Sequence, residues 1–218
     1  MPFMGNKIRH FPLILLAGGK SSRMGTPKGL LEYRGNLWLI EQFKRFKAAS
    51  GGRAIVILGF HHEHYFEKIP WLRTAGNQPV HQLGLNISVV INPNPEYGQF
   101  SSLKCAIAFL QNEDFPGVFV HPVDVPSPKK EVYEKLSRAF NRSVSAAIPR
   151  HRYKGGHPVL LSHAFLDRLA EISPSSAEVR LDLQIQALPR DQVAFVPVDD
   201  ESVCLNMNFL DEFRSYSN

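Results

Sequence analysis

Between positions 18 and 28 the sequence places Gly18, Gly19, Ser21, Ser22, Arg23, Gly25 and Lys28, and it has no carboxylate before Glu32. Residues of these types in one short stretch suit the wrapping of backbone N–H groups and cations around a polyphosphate. Without a β-carbon, Gly18 and Gly19 let the main chain approach a ligand closely and can take positive φ. Arg23 can fork two phosphate oxygens, and Lys28 supplies a point charge. Neither common phosphate motif is present. Gly25 is followed by Thr26, Pro27 and Lys28, not by a lysine and a hydroxyl residue, and the G-x-G-x-x-G fingerprint is missing.

A second candidate is Asp124, a lone carboxylate among Val123, Val125 and Pro126 after an apolar run. At the carboxyl edge of a parallel sheet such an oxygen suits a hard cation such as Mg²⁺. The cap of the helical pattern that begins at Lys129 is its alternative role. Ser101 and Ser102 follow a turn at Gly98 and open another helical pattern, where their hydroxyls can cap it or meet a ligand. His61, His62 and His64 lack the spacing of a helical metal site, and three imidazoles so close cannot all face one ion. They read as a solvated loop or helix end.

The elements that must hold these groups alternate between strand and helix. Residues 11–17 form a short apolar run that breaks at Gly18, and 54–58, 88–91, 117–121 and 144–148 read as further buried strands. Leu37, Ile40, Phe43 and Phe46 recur at helical spacing within 36–50. Further helical patterns run over 129–140, 163–172 and 177–188, before a strand near 193–198. Strand, loop, helix, strand begins a right-handed parallel crossover unit. Residues 70–85 show no clear period and read as a surface excursion.

The chain of 218 residues, 44% hydrophobic, has room for one buried α/β core, and nothing marks a domain boundary. The expectation is one domain over 1–218 with its core at about 11–214. Cys105 and Cys204 lie in separate apolar runs, and the first ten residues are too short and polar for a signal peptide. No apolar run approaches membrane length, so a cytoplasmic protein without membrane contacts is expected. The formal charge is +5, and Arg138, Arg142, Arg150, Arg152 and Lys154 fall in an acid-free interval. These cations sit among glycines and prolines, not along one helical face, which favours small anionic ligands over nucleic acid.

Residues 16–28 match every fixed position of L-A-[AG]-G-x-S-x-R-M-G-x-[PD]-K, the signature of nucleotidyltransferases that act on the molybdenum cofactor. The chain thus resembles the MobA/MocA-like family. Four more segments are similar in the same order: 92–103, 122–126, 155–161 and 196–213. The resemblance implies a single-domain α/β Rossmann-like nucleotidyltransferase fold of the nucleotide-diphospho-sugar transferase (GT-A-like) type. Its sheet would be mainly parallel and doubly wound, with one short antiparallel contribution. It also implies a Mg²⁺-dependent enzyme that moves a nucleotidyl group from a nucleoside triphosphate to a phosphorylated acceptor and releases pyrophosphate.

Carried over residue by residue, the resemblance gives catalytic roles to Arg23, Lys28 and Asp124. It gives nucleotide contacts to Leu16, Ala17, Gly18, Gly19, Arg23, Lys28, Ser101 and Ser102, and acceptor contacts to Gly156 and His157. Mg²⁺ would sit on Asp124 and Asn208. Two departures stand out: His121 and Pro122 replace a usual glycine, and Asn206 replaces a usual aspartate. Ala17, Gly18 and Gly19 look like the guanylyltransferase branch. Thr26 to Lys28 and the segment 156–160 look like the cytidylyltransferase branch, so CTP is favoured over GTP, with a molybdopterin-type acceptor. A sugar phosphate or phospholactate-like acceptor, and a non-catalytic nucleotide-binding module on the same fold, are the alternatives. A monomer or small homo-oligomer is expected.

Overall fold

Every residue of the first strand, β1 (Leu13–Ala17), is buried, as expected of a strand covered on both faces. The computed structural model describes residues 7–22, 24–173 and 179–217. Arg23 and the start of the helical pattern at 177 lie outside the described residues. After β1 come a short hairpin, β2 (Glu32–Tyr33) and β3 (Asn36–Leu37), then α1 (Trp38–Ala48) and β4 (Arg53–Leu58). The short helices α2 (His62–Lys68) and α3 (Trp71–Ala75) lead to β5 (Val80–Gln82), β6 (Leu85–Ile91) and α4 (Gln99–Leu110). Next are β7 (Gly117–Pro122), α5 (Lys130–Ala139), β8 (Ala146–His151), β9 (Lys154–Gly155) and β10 (Val159–Ser162). The chain continues through α6 (His163–Ala170), α7 (Leu181–Gln186), β11 (Val193–Pro197) and α8 (Leu210–Ser217).

One nine-stranded sheet runs β11-β8-β10-β7-β1-β4-β6-β5, with β9 added to β8. Its centre is parallel: β1 lies between β4 and β7, with Leu13 beside both Ala54 and Phe119. β4 pairs in parallel with β6, and β8 with β11. Side chains alternate within the apolar run of β1, so Leu13, Leu15 and Ala17 join one core and Ile14 and Leu16 the other. Phe43, Phe46 and Tyr133, from α1 and α5, cover the first face. Phe100, Leu103 and Leu166, from α4 and α6, cover the second. This is the doubly wound α/β arrangement that the alternating pattern predicts.

The antiparallel share exceeds the single short contribution expected. β10 enters between β7 and β8 antiparallel to both, and β5 and β9 pair antiparallel at the margins. Residues 70–85 are therefore more than an excursion: they contain α3 and the edge strand β5, with Val80 opposite Ile87. Their short elements and three-residue strand leave little period to read. The strand expected over 144–148 is shifted to Ala146–His151, because its end pairs with β11 at Pro197 and with β9 at Gly155. Among the described residues no helix is long and apolar enough to cross a membrane.

Candidate functional site

The carboxyl ends of β1 and β7 meet the glycine-rich loop at one edge of the sheet. Gly18 needs to be glycine for space: a β-carbon there would lie 2.9 Å from Ser102 Oγ. Gly59 fits as closely on the other side, since its β-carbon would lie 2.7 Å from the Gly18 carbonyl oxygen. Positive φ occurs elsewhere than at the paired glycines, at Ser21 (51°) and Gly25 (67°). The loop then closes on itself, with the Lys28 N–H donating to Ser21 Oγ at 3.1 Å. Gly29 rests against the Tyr65 ring and donates its N–H to the Tyr65 hydroxyl at 3.2 Å. Burial pushes that phenol well above its ordinary pKa, so it stays neutral.

Lys28 is thereby aimed across the loop. Its ammonium donates to Asp124 Oδ2 at 2.9 Å and to Asn208 Oδ1 at 3.1 Å. These three residues, distant in sequence, form one cluster. Asp124 sits in the turn after β7, where the Val123 N–H donates to the Leu16 carbonyl and the Val125 N–H to that of Pro122. The Asp124 carbonyl accepts from the Met207 N–H at 2.8 Å, which draws the segment bearing Asn208 alongside. Glu212 in α8 accepts from the backbone N–H groups of Asn208 and Phe209 and fixes the helix start. Asn206 is exposed.

A cavity of about 370 Å³ opens between the loop and this cluster. Leu16, Ala17, Gly18, Gly19, Ser102 and Lys28 line it, together with Asp124 and Asn208. Phe60, Pro95 and Gln99 also line it and carried no signal beyond standing next to turn residues. Helix α4 takes Gly98 as its N-cap (φ 82°), not a serine. The Ser101 hydroxyl instead donates within the turn, to the Gly98 and Asn94 carbonyls. Buried Asn92 donates to both serine oxygens, at 2.8 Å to Ser101 and 3.0 Å to Ser102. Of the two serines, Ser102 faces the cavity.

A larger cavity, about 820 Å³, adjoins the first across Leu16 and Gln99. Gly156 and His157 lie on its wall, and Val120, Ile148, Val159 and Phe195 make much of it apolar. Gly156 packs against the Val203 carbonyl, which leaves no room for a β-carbon. The His157 N–H donates to the same carbonyl at 2.8 Å. Burial pushes the His157 imidazole below its ordinary pKa, against the opposing pull of Asp124, the Val120 carbonyl and Asp182. His121, fully buried behind it, is held at a pKa of about 3 chiefly by burial, and its Nε2 donates to the Val125 carbonyl at 2.8 Å. Both rings are neutral near pH 7, and neither Nδ1 has a partner among the described residues.

The oxygens around Lys28 fit a hard cation. Asp124 Oδ2 and Asn208 Oδ1 already converge on one positive charge. One carboxylate plus a neutral oxygen suits an ion that keeps most of its water and shares phosphate ligands. Among the described residues no group of three histidines, cysteines or acids could hold a metal by itself. His61 and His64 stack on one another and His62 Nδ1 lies 3.1 Å from the Gly59 carbonyl.

The MobA-like NTP transferase domain matches over residues 13–192. The molybdenum cofactor cytidylyltransferase of Escherichia coli K12 is 26% identical over 200 residues, 92% of each chain. A probable molybdenum cofactor guanylyltransferase of Rhodopirellula baltica is 26% identical over 136 residues, 62% of this chain and 58% of that one. Among solved structures, Rv0371c of Mycobacterium tuberculosis in complex with manganese superposes with a TM-score of 0.66 at 20% identity, covering 94% of this chain and 96% of that one.

Proposed function

This chain belongs to the MobA-like NTP transferase family, and from that premise we propose that it transfers CMP from CTP to a molybdopterin-type phosphorylated acceptor with release of pyrophosphate. The observation that carries the reading is the convergence of Lys28, Asp124 and Asn208 at the rim of the glycine-loop cavity. Nucleotidyl transfer needs little covalent help from the protein, since an acceptor phosphate is already largely dianionic near pH 7, its second pKa being about 6. What it needs is charge neutralisation and in-line placement.

Each group has a part in that. The main chain at Gly18 and Gly19 approaches the phosphates closely. Asp124 and Asn208 would hold Mg²⁺, which when bound neutralises charge on the phosphate oxygens. Lys28 then pairs with the triphosphate in place of the two side-chain oxygens it contacts in this structure. Arg23 belongs to the same loop and serves as a second phosphate cation. The acceptor lies in the larger cavity, where its phosphate reaches the α-phosphorus near Gly156 and His157. Apolar walls there, beside Gln99, Arg180 and Asp182, suit a bulky acceptor with both apolar and polar surface. The relative named a cytidylyltransferase spans 92% of this chain and the one named a guanylyltransferase 62%, which supports CTP. A neighbour of the same fold crystallised with manganese supports a divalent ion.

The test is calorimetric titration of CTP, GTP, ATP and UTP, each with and without Mg²⁺, into the wild type and Asp124→Ala. Magnesium-dependent binding of CTP above the others, lost in the variant, is the expected result. Binding indifferent to Mg²⁺ and to Asp124 would instead mark a non-catalytic nucleotide-binding module.

A further inference from the structure

Helix α1 carries Trp38, Gln42 and Arg45 four and three residues apart, on one face. Each ends on a group beside Asp124 or on the helix that follows Asn208. The Trp38 indole N–H donates to the Val123 carbonyl at 2.7 Å. Gln42, fully buried, donates to the Val123 and Val125 carbonyls, at 3.2 and 2.7 Å, and its Oε1 accepts from the Ser127 N–H at 2.7 Å. The two carbonyls that flank Asp124 are thus gripped from below by one amide and one indole.

Arg45 reaches the other side. Its guanidinium donates to the Ser127 carbonyl at 3.3 Å and to the hydroxyls of Tyr216 and Tyr33 at 2.7 and 3.0 Å. It also lies over the rings of Tyr33, Trp38 and Tyr216 at 5.3 to 5.6 Å. Tyr216 belongs to α8, whose Glu212 holds the backbone N–H of Asn208. The chain of contacts runs from α1 to Asp124 in one direction and through α8 to Asn208 in the other.

We infer that this face of α1 is a positioning device that sets the spacing of the Asp124 and Asn208 oxygens, so that Trp38, Gln42 and Arg45 act on metal binding through those two residues. The inference rests on the reading that Asp124 and Asn208 hold Mg²⁺. A side chain that serves only to satisfy buried carbonyls would contribute to stability and leave the metal response of the folded protein untouched. Groups that orient metal ligands typically change metal affinity about tenfold to a hundredfold when removed.

The experiment titrates Mg²⁺ into the wild type, Gln42→Met, Tyr216→Phe and Asp124→Ala in the presence of CTP, and again with GTP. It reads the half-saturating Mg²⁺ concentration well below each protein's melting midpoint, and the nucleotide affinity without metal. Gln42→Met should raise half-saturation about tenfold to a hundredfold and leave metal-free nucleotide affinity unchanged. Tyr216→Phe, which keeps the ring and loses only the hydroxyl, should shift it in the same direction by less. Wild-type half-saturation in both variants, with the response lost in Asp124→Ala, overturns the inference alone. Should Gln42→Met fail to fold, an unshifted Tyr216→Phe overturns it. A wild-type response in Asp124→Ala, or none in any protein, overturns the metal-site reading and the inference with it.

Discussion

The smaller cavity takes most of its wall from one stretch, residues 16–22 with Met24 and Lys28. The larger draws Phe100, Val120, Ile148, His157, Leu181 and Phe195 from as many separate segments. The two share Leu16 and Gln99, so they are neighbours built by different means. A polyphosphate is met by consecutive backbone amides and a few cations, which only a contiguous loop can offer. An acceptor body is met by apolar surface, which any element can contribute once the sheet brings it near. On the proposed reading, nucleotide chemistry is concentrated in the chain and acceptor recognition is dispersed along it.

If the comparison holds, damage to the contiguous cavity falls on the nucleotide and damage to the dispersed one on the acceptor. The largest effect belongs to Asp124→Ala: turnover, followed as pyrophosphate release, should drop by at least about 10²-fold to 10³-fold while the protein remains folded. Retained turnover would remove Asp124 from the site. Lys28→Ala comes next. It removes a charged partner of the phosphates, so triphosphate affinity should fall about tenfold to a hundredfold. Unchanged affinity would separate the lysine from nucleotide binding. Phe195→Ala should act on the other cavity alone, because this half-exposed ring carries little of the core. Losing about 1 kcal/mol of apolar contact raises the acceptor KM about fivefold with nucleotide KM unchanged. Equal shifts in both constants would erase the distinction between the cavities.

A separate effect is one of pH. His121 stays neutral in the fold because its pKa is lowered to about 3, from 6.5 in the exposed ring. Between those values the unfolded chain binds the proton that the native ring refuses, so stability is full above about pH 6.5 and declines as pH falls towards 3. His121→Gln should flatten this slope, read as the change in melting midpoint between about pH 7 and about pH 5. A slope identical to the wild type would assign the acid sensitivity to other groups. The ring's bond to Val125 also gives His121 a structural role.

The glycine loop, the central strands and the lone Asp124 were legible from order and spacing alone, because each depends on neighbours in the chain. Buried β1 is an uninterrupted apolar run whose alternate side chains feed two cores, and such a run is visible without coordinates. The antiparallel entry of β10 was not legible: Val159, Leu160 and Leu161 have the same apolar character whichever way they run. Nor was the work of Ser101, since only the folded turn shows that its hydroxyl is spent on Gly98 and Asn94. Trp38, Gln42 and Arg45 could be placed on one helical face by counting, but what that face holds could not. By itself the sequence determined the glycine-rich loop and the α/β pattern, which are local consequences of residue type and spacing. Tertiary structure alone decided that Lys28, Asp124 and Asn208 share one cluster, because contacts across 96 and 180 residues depend on how the strands are ordered in the sheet.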